Sequence, residues 1–215
     1  MTRSKTIRTL ALTAACALAT AVGGAAGAQT IVDSWSSVAL PAPPKLDPVT
    51  IDSAHTALLM LDFSVDTCSA ARRPSCVRSI PHVQHLLEDA RAHHMLVVYS
   101  TGGAGSPKTP DALAPMAGDP AVRSGVDKFL GTDLEKILSS HDIHSVIVVG
   151  TSAHGAVLYT ASGAALRGLA VVVPVDGFSA DTPFAELTTA WILKNAPASV
   201  SAHVALTSTD LITLH

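Results

Sequence analysis

The stretch SVIVVGTSAHGAVLYTASGAALRGLAVVVPVD, residues 145–176, reads as a strand, a turn, a helix and a second strand. SVIVVG and AVVVPV are continuous apolar runs rather than alternating ones, the pattern of strands buried on both faces. Between them, Gly155 to Arg167 continues as a helix closed by Gly168. The turn GTSAHGA joins them where a buried strand delivers its end to a helix start.

The pattern repeats outward. ALLML (57–61), MLVVYS (95–100) and HVALT (203–207) are further runs of strand length. Helical segments separate them. Ser79 caps a helix with Pro81 in its first turn, running through VQHLLEDARA; Thr132 to Glu135 form a capping box opening LEKILSS; Thr182-Pro183 opens a helix that stops before Pro197. Strand and helix alternate, which predicts a parallel sheet with helices on both faces and a site at the carboxyl ends of the strands.

A chain of 215 residues with 48% hydrophobic and 14% charged residues can bury one sizeable core, and it shows no internal repeat. Residues 1–28 stand apart. MTRSKTIR is basic, TLALTAACALATAV is a short apolar stretch, and Ala26-Gly27-Ala28 is a small-residue cleavage site, so this is read as a secretory signal cut between Ala28 and Gln29. The apolar stretch is too short for a membrane anchor, so no membrane association is expected after cleavage. Residues 29–53, containing PAPPKLDP, read as an extended lead-in, because their prolines deny both helix and central strand; residues 54–215 form the compact domain. The destination is secreted or periplasmic.

Cleavage removes three of the 14 basic residues, leaving 11 against 17 acidic ones, a formal net charge of −6. Nucleic acid is excluded as a partner, since phosphate binding needs a basic face. Cys16 leaves with the signal. Cys68 and Cys76 remain, eight apart in an oxidising destination, and a disulfide is the economical reading; a reactive thiol at either position would require the other to stay unpaired.

Three places lie where such a fold performs chemistry. Asp62 ends the first strand in LLMLDFS, Lys128 lies in GVDKFLGT, and the turn after Val149 carries Ser152, Ala153, His154, Gly155 and Ala156. Taken singly, Asp62 serves equally as a turn residue and Lys128 as a solvated lysine. Arg72, Arg73 and Arg78 surround the disulfide loop and are candidates for binding a carboxylate substrate, or ordinary surface arginines. The pairs His82/His85 and His93/His94 fall on a helix without a third ligand and read as solvated side chains.

Together, ALLMLDFS, DKFLGTDLEKIL and residues 146–176 resemble the isochorismatase-like cysteine hydrolases over most of the chain from Ala54 to Asp210. The resemblance implies a three-layer α/β/α, Rossmann-like sandwich with a central parallel sheet. It also implies Asp62 as general acid or base, with Lys128 as the charged partner that holds it ionised or binds developing negative charge. Ser152, Ala153, His154 and Gly155 would bind substrate or an oxyanion at the helix start, and the Thr151–Ser152 peptide would be cis. Ala156 occupies the position of the family's cysteine, and a methyl group cannot attack a carbonyl. The isochorismate-type vinyl-ether hydrolases also have a small residue there, after an Ala-His pair similar to Ala153-His154. The stretch between Lys128 and Gly131-Thr132 is shorter than in that branch. Metal-binding relatives place histidines after the second strand, where this chain reads STGGAGSPK, so no metal and no cofactor are expected.

The expectation is an exported hydrolase of a small polar molecule, with an Asp/Lys site and no cysteine nucleophile. A catalytically inactive small-molecule binding protein and an amidase using the Ser152 hydroxyl are the rivals. The resemblance allows a homo-oligomer, and no feature of the sequence fixes a state.

Overall fold

The computed structural model describes residues 30–102 and 108–215. The expected signal segment, and most of the STGGAGSPK stretch, lie outside the described residues. The chain divides into a unit ending at Leu40 and a larger one, Pro41–His215. In the first, α1 (Ile31–Ser34) opens with a reciprocal cap in which Thr30 and Asp33 bond each other's backbone, and a 3₁₀ turn follows at Trp35–Ser37.

The larger unit is built on a wholly parallel sheet. Its strands are β2 (Thr56–Leu61), β3 (Leu96–Thr101), β4 (Ala121–Arg123), β5 (Ser145–Thr151), β6 (Ala170–Pro174) and β8 (Val204–Thr207), in the order β4-β3-β2-β5-β6-β8. A short β7 (Phe178–Ser179) pairs with the end of β5. All five strands expected from the apolar runs form. β1 (Val49–Ile51) and β9 (Ile212–Leu214) pair separately in a second parallel sheet.

Side chains alternate across the main sheet, and both faces are apolar. Ala57, Leu59, Leu61, Val146, Val148, Val171 and Val173 enter one core. Leu58, Met60, Ile147, Val149 and Val172 enter the other. The second core is closed by Val83, Leu86 and Leu87 of α2 (Pro74–Ala92). The first is closed by α3 (Leu134–Ser140), α4 (Leu158–Leu166) and α5 (Pro183–Asn195) through Leu134, Leu138, Ala161, Ala164, Ala165, Ala190 and Leu193. This is the expected three-layer sandwich. Each fully buried Leu, Ile or Val contributes roughly 1.5–3 kcal/mol, which explains why uninterrupted apolar runs specify the middle layer.

Three local expectations are corrected. The helix read as starting at Ser79 begins at Pro74, with Pro81 inside it, and Ser79 Oγ donates to the Cys76 carbonyl at 2.9 Å. Pro74 suits a first helical position because it has no N–H to leave unpaired. The capping box at Thr132 is half made. Thr132 Oγ1 accepts from the Leu134 amide, but Glu135 reaches Arg167 at 2.9 Å instead of turning back. The lead-in is not extended throughout, since it holds the turns at residues 31–37 and ends in β1. Thr182 does cap α5, accepting from Ala185 N at 3.2 Å.

Tyr99 in β3 is buried against α2, donating to the Leu113 carbonyl at 3.0 Å and accepting from Arg91. Burial pushes its phenol up from 10.0 to about 12. The unfolded chain therefore releases this proton first as pH rises. Tyr99 stabilisation is complete below about pH 10 and is lost as pH climbs toward 12. An alkaline absorbance titration should show one of the chain's two tyrosines ionising near pH 12 with parallel loss of stability. Ionisation of Tyr99 near pH 10 in folded protein would contradict the burial.

Candidate active site

Strand register gathers the site. Leu61 faces both Ser100 of β3 and Gly150 of β5, so Asp62, Thr101 and Thr151 emerge together at the carboxyl ends of three central strands. Asp62 leaves β2 in the left-handed region, φ 56°, while its amide still bonds the Ser100 carbonyl at 3.1 Å. Its two carboxylate oxygens have different partners. Oδ1 accepts from Ser100 Oγ at 2.9 Å, and Oδ2 from Lys128 Nζ at 2.7 Å.

Lys128 is 0% exposed, against 19% for the Asp62 side chain. Its ammonium has three acceptors: Asp62 Oδ2, the Gly125 carbonyl at 2.6 Å and the Ser124 carbonyl at 3.4 Å. Every ammonium proton is thus matched, as a buried charge requires. The carboxylate is the member of the pair that solvent reaches. Behind it stands Gly102, where a Cβ would lie 3.0 Å from Asp62 Oδ2.

The turn after β5 has the implied cis peptide between Thr151 and Ser152. It passes into a π-helical turn, Ala153–Val157, before α4 begins. Gly155 N and Val157 N both donate to the Ser152 carbonyl, at 3.1 and 3.2 Å. Gly155 therefore does not offer its N–H to a ligand, contrary to the oxyanion role the resemblance implies for it. A Cβ on Gly155 would lie 2.6 Å from Ser152 Oγ, so glycine lets that hydroxyl lie over the turn. Ala153 and Ala156 are buried, Ser152 is half-buried and His154 is exposed.

Arg73 is the functional-looking residue whose placement the sequence did not predict. It is buried, bonds Asp181 through Nε at 2.9 Å and Nη2 at 2.5 Å, and donates through Nη1 to Thr151 Oγ1. Arg73 thus braces the turn from the disulfide loop and is not directed at Asp62. Its guanidinium holds the Asp181 carboxyl below the usual carboxylate range, with His154 and Arg72 adding to the effect. Arg78 lines a cavity of about 240 Å³ that also contains Asp181 and Glu186, surroundings that oppose a carboxylate ligand. The Cys68–Cys76 disulfide is present, with Cα atoms 4.9 Å apart, and closes the segment that contains Arg73. On the other flank, a cavity of about 430 Å³ is lined by Ser100, Thr101, Lys108 and Asp111, so Ser100 borders both cavity and carboxylate.

A family model described as the isochorismatase domain matches residues 56–203. The chain belongs to the isochorismatase family. Solved structures of similar fold include N-carbamoylsarcosine amidase from Thermoplasma acidophilum, 20% identical with a TM-score of 0.63, covering 72% of this chain and 96% of that one. A cysteine hydrolase from Pseudomonas syringae pv. phaseolicola is 21% identical with a TM-score of 0.67, covering 78% and 94%. The nicotinamidase of Staphylococcus aureus is 19% identical with a TM-score of 0.62, covering 71% and 99%. No curated protein sequence matches this chain. At these identities the structural likeness concerns the fold. Within this isochorismatase-family chain, the matched segment contains Asp62, Lys128, Arg73 and the whole turn.

Proposed function

We propose that this chain is an exported hydrolase of a small polar substrate in which Asp62 transfers the proton and no cysteine takes part. The observation that carries the reading is the Asp62–Lys128 ion pair at the mouth of the central strands, with only the carboxylate open to solvent. Lys128 acts through Asp62, because all three of its protons are engaged below the surface. Cys68 and Cys76 have each other, Cys16 lies in the expected signal, and Ala156 stands at the first turn where the family carries its nucleophile. Hydrolysis without a covalent intermediate needs a proton moved to or from carbon or water, and one carboxyl group can do that. The N-carbamoylsarcosine amidase and the nicotinamidase of the same fold make amides the first class to try, with vinyl ethers and esters next. The second reading, a protein that binds such a molecule without turning it over, is favoured by Ala156 alone. The basic start, short apolar stretch and small-residue cleavage site of residues 1–28 support a secreted or periplasmic destination with no membrane partner after cleavage, and the net charge of −6 left by cleavage supports no nucleic-acid partner; among the described residues, no helix is long and apolar enough to cross a membrane.

The purified protein should hydrolyse a member of that panel and keep its activity after iodoacetamide treatment. Ligand binding with no turnover anywhere in the panel would select the second reading. Loss of activity on alkylation would refute both the mechanism and the disulfide.

Ala156→Cys tests the turn. A thiol there would lie in the first turn leading into α4, where amide dipoles favour thiolate and lower its pKa from about 8.5. A fall to about 7 raises the thiolate fraction at neutral pH by roughly tenfold, and alkylation rate against pH would record it. If the thiol in a folded variant reacts no faster than free cysteine, Ala156 is not at the nucleophile position.

A further inference from the structure

At the opposite edge of the sheet the strand starts carry a second polar cluster. Thr56 pairs with Ser145 in register, so His55 and His144 sit side by side just before β2 and β5, and the His144 amide donates to the His55 carbonyl at 2.9 Å. Their rings stack with centroids 5.4 Å apart. Asp142 closes the group from the end of α3, with Oδ1 3.3 Å from His144 Nε2 and Oδ2 3.4 Å from His55 Nδ1. Each residue offers one donor atom, and the three lie within 4.8 Å of one another.

We infer that His55, Asp142 and His144 form a binding site for a divalent transition-metal ion of the zinc class. The donor set is the first reason. Two imidazole nitrogens and one carboxylate oxygen are hard-to-borderline ligands that suit zinc and leave a position for water. Geometry is the second. Bonds of about 2.0–2.1 Å place neighbouring ligands of a tetrahedral ion about 3.3 Å apart, the spacing at which Asp142 Oδ1 stands from His144 Nε2, while the His55 ring faces the other carboxylate oxygen at 3.4 Å. Only the exposed rings need to turn.

Placement of the ligands is the third reason. His144 is held between two strands, its carbonyl accepting from Ala170 N at 3.1 Å, and β5 is buried from Val146 onward. Asp142 adopts φ 54°, a conformation that aspartate tolerates better than most residues, and there it presents a carboxylate between two imidazoles.

The site is separate from the Asp62 carboxylate. Both are carried by β2, with His55 before its first residue and Asp62 after its last, a strand length of about 20 Å. Its role is to clamp the starts of β2 and β5 and the end of α3, and the inference does not depend on the proposed hydrolysis.

Tag-free protein, titrated with zinc against a chromophoric chelator of micromolar affinity, should bind one equivalent. Asp142→Asn keeps a residue that tolerates the left-handed backbone while removing the charge, so it should weaken binding about tenfold or more without unfolding the chain. His144→Ala should do the same, while His85→Ala on α2 should have no effect. Excess zinc should raise the melting temperature of the native protein and not that of the two ligand variants. The proposal is overturned if no zinc binds, or if folded Asp142→Asn and His144→Ala both bind it as the native chain does.

Discussion

Asp62→Asn is expected to lower any hydrolytic turnover by about 10²–10⁴-fold, the usual contribution of a positioned proton donor or acceptor. It should also unsettle the fold. Lys128 is fully buried, and without the carboxylate its ammonium keeps only the Gly125 and Ser124 carbonyls. Removing one partner of a buried pair costs about 3–5 kcal/mol, since the remaining charge is uncompensated. The backbone is not the cause, because asparagine tolerates the φ of 56° that Asp62 adopts. Lys128→Met should be milder for stability, because the carboxylate that remains is partly solvated and retains Ser100.

The double variant separates the two effects. If the pair is coupled as the geometry indicates, Asp62→Asn with Lys128→Met will be more stable than the sum of the single losses predicts, while activity stays at the Asp62→Asn level. Denaturant midpoints and initial rates on the folded fraction give both quantities. Full activity in Asp62→Asn would remove Asp62 from the chemistry, and additive stabilities would remove the ion pair.

Gly150→Ala should be the most destabilising small substitution near the site, by about 3–4 kcal/mol. Gly150 ends the apolar run of β5 directly opposite Leu61. An added Cβ would overlap the Leu61 carbonyl oxygen and come within 2.6 Å of its Cβ, and neither belongs to a flexible side-chain end. Leu61 precedes Asp62, so relief of the overlap would displace the carboxylate. Gly168→Ala is the comparison. Gly168 has φ 83° with nothing within 4 Å of an added Cβ, so only its conformation is penalised, by about 1 kcal/mol. Urea unfolding of the two variants should differ by about 2 kcal/mol or more. Equal losses would mean that the strands are not in close contact at Gly150.

Legibility followed the range of the interactions. The five long strands were legible because burial on both faces requires each run to be apolar at every position, a signal contained within five or six residues. β1, β4, β7 and β9 have two or three residues each, too few for any period to register. The start of α2 was misplaced because Ser79 and Pro81 imitate an N-terminus, whereas Pro74 and the disulfide loop set the true one. Arg73 was noticed, yet its partners could not be.

By itself the sequence determined which five runs form the buried strands, the carboxyl ends at which Asp62 and the turn lie, and the pairing of Cys68 with Cys76. Each follows from short-range pattern: continuous apolar runs, an acid at a strand end, a glycine-bounded turn, two thiols eight residues apart. Apart from the Asp62–Lys128 pair, which the family resemblance implied, tertiary structure alone decided which polar groups meet. Asp62 and Lys128 are 66 residues apart, Arg73 and Asp181 108, and His55 and Asp142 87. No local periodicity encodes such meetings, because they arise where parallel crossovers return the chain to the same edge of one sheet. Burial of Lys128 followed from that return, and it leaves Asp62 as the member of the pair open to solvent.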